Sequence, residues 1–160
     1  MPTQSKLAEF VAAQDVVYDQ VVSELKASRK RTHWIWFIFP QMTGLGFSAM
    51  SRRFGIASES EAKEYLKHHV LGARLRECTQ LLLDLPSRNI SDILGNPDDL
   101  KFRSCMTLFN VAAPEETIFE EALKKFFAGE RDAATINLLR DSRLRGSKPR
   151  EFRFQLFDPF

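Results

Sequence analysis

Two short segments of the sequence carry residue types that a ligand site uses. The first, residues 33–41, reads His-Trp-Ile-Trp-Phe-Ile-Phe-Pro-Gln and holds both tryptophans of the chain. The rings of Trp34 and Trp36 can form a flat apolar wall on which a nucleobase or nicotinamide stacks, and His33 and Gln41 can supply hydrogen bonds at its ends. A plain aromatic core segment explains the same pattern, so both interpretations stay open.

A glycine turn follows this aromatic segment. Gly44 and Gly46 flank Leu45, and close approach of the backbone to a ligand is a common reason for such glycines. The short helix expected next carries Ser48 and Arg52 as further ligand-binding candidates. Basic groups of this kind can receive the phosphates of a nucleotide, although a solvated surface is the alternative interpretation.

The second segment, residues 98–104, reads Asp-Asp-Leu-Lys-Phe-Arg-Ser at a predicted helix start. Carboxylates at a helix N-terminus act first as caps, and an ion pair between Asp98 and Lys101 is the simplest interpretation of their spacing. The functional interpretation makes Asp99 and Lys101 catalytic. Asp99 would stabilise an oxocarbenium-like sugar or activate water, Lys101 would hold an anionic group, and Ser104 would contact the ligand.

Composition limits the class of protein. The 160 residues are 44% hydrophobic and 28% charged, which is typical of one globular domain, and the net charge of +2 does not by itself indicate a nucleic-acid-binding protein. No apolar run approaches the roughly 20 residues that span a bilayer, and the N-terminus lacks the apolar stretch of a signal peptide, so we expect a cytoplasmic protein. Cys78 and Cys105 are too few for a disulfide framework or a zinc site, and the sequence calls for no metal or cofactor.

Apolar periodicity predicts a mainly helical fold in a single compact domain over residues 1–141. Residues 34–39 are apolar at odd and even positions alike, which predicts at most a short buried extended segment there. Beyond residue 141 the chain becomes basic and then aromatic, and this tail, residues 142–160, is expected to be either a docking strand or disordered. Besides the short helix after the glycine turn, the predicted helices span residues 6–28, 61–68, 71–85, 90–94, 97–113, 115–127 and 133–139. Asn96 is predicted to cap the helix over residues 97–113, with Pro97 as its first residue.

The pattern resembles a bacterial family of unknown function that was once mislabelled as calpastatin-like. The resemblance covers roughly residues 8–139. The residues that carry it are 10–14, 18, 33–41, 44–46, 61–62, 65–66, 71–72, 74–75 and 98–109.

This family looks like a remote relative of the NADAR (YbiA-like) superfamily, with the strongest similarity over residues 98–139. That resemblance implies a multihelical YbiA-like domain and cleavage of N-glycosidic bonds in NAD- or ADP-ribose-derived ligands. NADAR proteins carry a Glu-His-Tyr type motif on an early helix that has no counterpart in this sequence, so no catalytic acid is carried over.

Together these observations predict an N-glycosidase-like enzyme, or a binding protein, for a small nucleotide-like or ADP-ribose-like molecule. The alternative is a non-catalytic interaction module that uses the aromatic tail, residues 152–160, to dock on a partner or on a second copy. A nucleic-acid partner remains an option that the modest charge does not support, and homo-oligomers stay open.

Overall fold

The structure, a computed structural model, describes residues 2–146, and within that range the protein is built from helices without a named strand. This confirms the mainly helical prediction. The last helix runs beyond its predicted end at residue 139, and the aromatic tail at residues 152–160 lies outside the described residues. The helices are α1 (Pro2–Lys26), α2 (Ile35–Ile38), α3 (Ala49–Arg53), α4 (Glu59–Lys67), α5 (Leu71–Asp84), α6 (Ile90–Leu94), α7 (Asp98–Ala112), α8 (Thr117–Phe127) and α9 (Ala133–Gly146).

Helix α7 forms the centre of the core. It buries ten of its 15 residues and packs against α4, α6, α8 and α9, while α1 packs against α5 on the other side. Aromatic rings join these layers: Phe102 of α7 meets Phe39 edge-on with ring centroids 4.8 Å apart, and Phe10 of α1 meets Tyr65 of α4 at 5.2 Å. Edge-to-face geometry is the arrangement that aromatic quadrupoles favour.

The Trp-containing segment is buried as predicted, but it is a helical turn and not an extended piece. The backbone N–H groups of Ile38 and Phe39 donate to the carbonyls of Trp34 and Ile35 at 3.2 and 3.0 Å. A buried extended segment would need a neighbouring strand to pair its backbone groups. Because no named strand is available within residues 2–146, the turn satisfies its own hydrogen bonds.

The start of α7 differs by one position from the predicted one. Asn96 was expected to cap the helix with Pro97 as its first residue, but α7 begins at Asp98 and Pro97 takes the cap position. The side chain of Asn96 donates instead to the carboxylate of Asp99 at 3.0 Å. This exchange matters because it fixes the direction of the Asp99 side chain.

Two further properties follow from the helix set. No helix in the described part of the chain is long and apolar enough to cross a membrane.

Cys78 and Cys105 are both buried and not joined to each other. Burial raises the pKa of both thiols, to about 12 for Cys78, so they are inert components of the core.

Candidate functional site

Trp34 belongs to the core. Its side chain has no exposed surface, and its indole N–H donates to Oε1 of Glu24 at 2.9 Å. A fully buried ring offers no face to a ligand, so for Trp34 the structure favours the core interpretation over the stacking wall. Trp34 directly precedes α2, so its bond to Glu24 fixes where α2 begins and thereby where Trp36 lies.

Glu24 is the anchor for this arrangement, and nothing in its sequence context indicated that role. Its carboxylate accepts hydrogen bonds from the backbone N–H groups of Arg31 and Thr32, the Thr32 hydroxyl, the amide of Gln20 and the indole of Trp34. Burial by itself raises the pKa of Glu24, but these donors outweigh burial and lower it to about 2. The anion therefore holds the loop between α1 and α2 in one conformation.

Trp36 lies within α2 and is closer to the protein surface than Trp34. Its ring is only partly buried, and the ammonium group of Lys101 lies 5.4 Å from a ring centroid. Its indole nitrogen is buried and has no hydrogen-bond acceptor among the described residues. Buried polar groups are nearly always paired, so an orphaned donor calls for an explanation, such as a ligand or water that the protein alone does not supply.

Lys101, beside this ring, is linked through Asp98 to a second lysine, Lys30. Lys30 forms an ion pair with Asp98 at 2.7 Å, and Lys101 approaches the same carboxylate at 3.9 Å, as its spacing predicted. Lys30 also donates to the Thr32 carbonyl at 2.6 Å, so most of its donors are engaged. We call the surface formed by Trp36, Asp98 and Lys101 the Trp36 face, whereas the side chain of Lys30 is buried against Trp34.

Asp99 is not part of the Trp36 face. Its carboxylate accepts from the Ser91 hydroxyl, the Asn96 amide and the backbone N–H of Leu100, at 2.8 to 3.0 Å. Successive helix residues point about 100° apart, so Asp98 and Asp99 face different neighbours. Asp99 lines a separate, shallow groove beside α6 and α8, and the structure does not bring it together with Trp36.

The serine candidates make local hydrogen bonds. Ser104 is buried and donates to the Leu100 carbonyl at 3.2 Å, one turn back along α7. Ser48 caps α3 by accepting from the backbone N–H of Ser51 at 3.1 Å. Both hydroxyl groups therefore have structural roles.

The remaining candidates lie near the loop before α3. A side-chain carbon at Gly46 would meet the Ser51 hydroxyl at 2.4 Å, and Gly44 has a backbone φ of +103°, so packing and conformation explain both glycines. His33 and Arg52 are exposed, and Gln41 is partly buried. None of the described side chains forms a group of three or more metal-ligating residues.

Fold and site together define an all-helical protein with one orphaned indole donor beside a lysine. The chain belongs to the family described as "Protein of unknown function (DUF1810)", which matches residues 4–139. A similar solved structure is the conserved hypothetical protein Rv1873 from Mycobacterium tuberculosis, with 49% identity and a TM-score of 0.82 over 84% of this chain and 96% of that one. Comparison with curated proteins gave no match.

Proposed function

We propose that the Trp36 face binds a small nucleotide-like ligand, of the NAD or ADP-ribose type. One observation carries the proposal: the ring of Trp36 is only partly buried, and the ammonium group of Lys101 lies 5.4 Å from a ring centroid. A ligand with a flat base and an anionic group would contact the exposed part of the ring and the cation at once.

Each residue of the face has a distinct role in this proposal. The exposed part of the Trp36 ring stacks on the base. The charge of Asp98 is balanced mainly by Lys30, which lies 2.7 Å from it, whereas Lys101 is 3.9 Å away. The ammonium group of Lys101 therefore remains available to bind a phosphate oxygen. Asp98 accepts a hydrogen bond from a ribose hydroxyl.

The reaction we propose for this ligand is hydrolysis of an N-glycosidic bond in the cytoplasm, which the resemblance to NADAR proteins supports. Water adds to the anomeric carbon and loses a proton, and the carbon–nitrogen bond breaks. A nicotinamide leaves as the neutral base and the proton is released, whereas a purine base leaves with that proton. Positive charge develops on the sugar in such a step, and a nearby carboxylate stabilises it. Asp98 is the carboxylate of this face, whereas the oxygens of Asp99 are already occupied by three donors.

Tryptophan fluorescence tests the proposal directly. We expect NAD, ADP-ribose or a ribosylated base to quench the emission of Trp36, and expect Trp36→Phe to remove this quenching while Trp34 still emits. Lys101→Gln should weaken binding about tenfold through loss of one charge-assisted contact. Asp99→Asn is the control, since it alters a carboxylate one residue away without touching the face.

Three results would overturn the proposal. The first is that no member of the panel binds the wild-type chain. The second is that binding survives both Trp36→Phe and Lys101→Gln. The third is that Asp99→Asn abolishes binding in a protein that remains folded by circular dichroism.

A further inference from the structure

A second cationic region lies at the other end of α7, where its last turns meet α9. A cavity of about 210 Å³ is present there. Its floor is apolar and its rim carries guanidinium groups. The residues that line it are Val111, Ile136 and Leu139 on the floor, and Arg131, Arg140 and Arg143 at the rim.

The three arginines are unevenly compensated. Arg143 forms an ion pair with Glu59 at 2.6 Å. Arg131 donates to the neutral amide oxygen of Asn110 at 2.5 Å, and Arg140 has no hydrogen-bond or ion-pair partner among residues 2–146. No carboxylate lines this cavity. Two guanidinium charges therefore converge on one small space without an anion to balance them.

We propose that this cavity binds the dianionic group of a small phosphate monoester. A phosphate ester carries close to two negative charges near neutral pH, which matches the two uncompensated arginines, and guanidinium pairs with phosphate through two parallel hydrogen bonds. The apolar floor of Val111, Ile136 and Leu139 receives the carbon skeleton of the ester.

The cavity has room for a longer ligand on one side only. Val111 and Arg143 also line a neighbouring cavity of about 580 Å³ beside α4 and the loop between α7 and α8. Arg143 thus stands between the two spaces. The small cavity would hold the phosphate, and the larger one would accommodate the rest of the molecule.

This site is separate from the Trp36 face. Lys101 and Val111 lie ten residues apart on α7, which corresponds to about 15 Å along the helix axis. The inference therefore does not rest on the function proposed for the Trp36 face, and substitutions distinguish the two sites.

The experiment titrates the full chain with phenyl phosphate and with inorganic phosphate by isothermal calorimetry. We expect saturable one-to-one binding, tighter for phenyl phosphate because of the apolar floor. Arg140→Gln and Arg131→Gln should each weaken binding about tenfold through loss of charge-assisted hydrogen bonds. Arg29→Gln, which removes an exposed arginine elsewhere, should leave it unchanged.

Several outcomes would contradict the proposal. One is the absence of saturable binding of both probes to the wild-type chain. Another is equal weakening by Arg29→Gln and Arg140→Gln, which would indicate non-specific attraction. Loss of binding in Lys101→Gln alone would move the phosphate to the Trp36 face. Binding of a DNA oligonucleotide without binding of phenyl phosphate would make the region a polyanion surface instead.

Discussion

The indole N–H of Trp34 donates to the carboxylate of Glu24 across ten residues of sequence, at 2.9 Å and with both side chains buried. This bond connects the last turn of α1 to the start of α2. Since α2 also carries Trp36, the position of the partly exposed indole depends on a buried carboxylate that never touches the surface. The first prediction concerns this anchor.

Replacement of Glu24 by Gln should lower the free energy of unfolding by about 3 kcal/mol at neutral pH, because five donor groups lose a charged acceptor and one amide N–H₂ is introduced among them. Chemical denaturation measures the change. Gln20→Ala is the control, since it removes one exposed donor to the same carboxylate and should cost much less.

The acid stability of the protein should also depend on Glu24. Its pKa is lowered from 4.5 to about 2 in the folded state, so its contribution is complete above pH 4.5 and is lost as the pH falls toward 2. Denaturation curves measured across this range should converge for the wild type and Glu24→Gln at low pH. A constant difference between the two proteins at all pH values would contradict the assignment.

Lys125 caps the C-terminal end of α5 from a neighbouring helix. Its ammonium group donates to the carbonyls of Leu83 at 2.8 Å and of Leu85. Lys125→Met should therefore cost about 1–2 kcal/mol of stability and speed amide exchange in the last turn of α5. Lys124→Met, which breaks only an exposed pair with Glu120, should cost less than about 0.5 kcal/mol.

Gly72 permits the close packing of α4 against α5. A side-chain carbon at this position would lie 2.1 Å from the backbone carbonyl oxygen of Leu66, which has no freedom to move away. Gly72→Ala should destabilise the protein by about 3 kcal/mol or more. Gly95→Ala isolates the backbone effect: Gly95 has φ +81° and ψ 169°, a region nearly restricted to glycine, but open space around it. Any loss of stability there, of about 1–3 kcal/mol, comes from backbone strain and not from a clash.

Both thiols should be unreactive in the folded protein. Burial raises the pKa of Cys78 and Cys105, and a thiol must ionise to attack a disulfide reagent. A chromogenic disulfide reagent should therefore label neither cysteine under native conditions and both in denaturant. The sulfur of Cys78 lies 3.7 Å from the hydroxyl of Tyr18 on α1. Rapid labelling of Cys78 in the native state would show that α5 separates from α1 more readily than this contact implies.

Local patterns predicted most of the helices but could not resolve the site. The apolar spacing of α5 and the proline after it predict a helix that ends before Pro86, and the structure confirms this. In contrast, Asp98 and Asp99 are adjacent carboxylates at the start of the same helix, and their sequence context does not show which of them is buried. Only the contacts of Asp99 with Ser91 and Asn96 reveal that one carboxylate is enclosed and the other adjoins Lys30.

The roles of Glu24 and Lys30 were missed for a related reason. Glu24 resembles any glutamate in the last turn of an amphipathic helix, and its acceptor role arises from donors that a loop brings back to it. Lys30 lies between Arg29 and Arg31, and such runs of basic residues are usually solvated, yet its side chain is almost fully buried against Trp34. Tertiary packing decides both cases, and residue spacing carries no signal for either.

The contacts between α1 and α5 also bear on how the chain acquires its fold during synthesis. Asp15 and Gln14 of α1 are bound by Arg74, 59 and 60 residues later in the chain. On a ribosome, α1 therefore emerges well before the helix that covers it. Nascent chains halted before residue 71 should expose α1 to proteases, whereas chains extended past residue 84 by the length of the exit tunnel should begin to protect it.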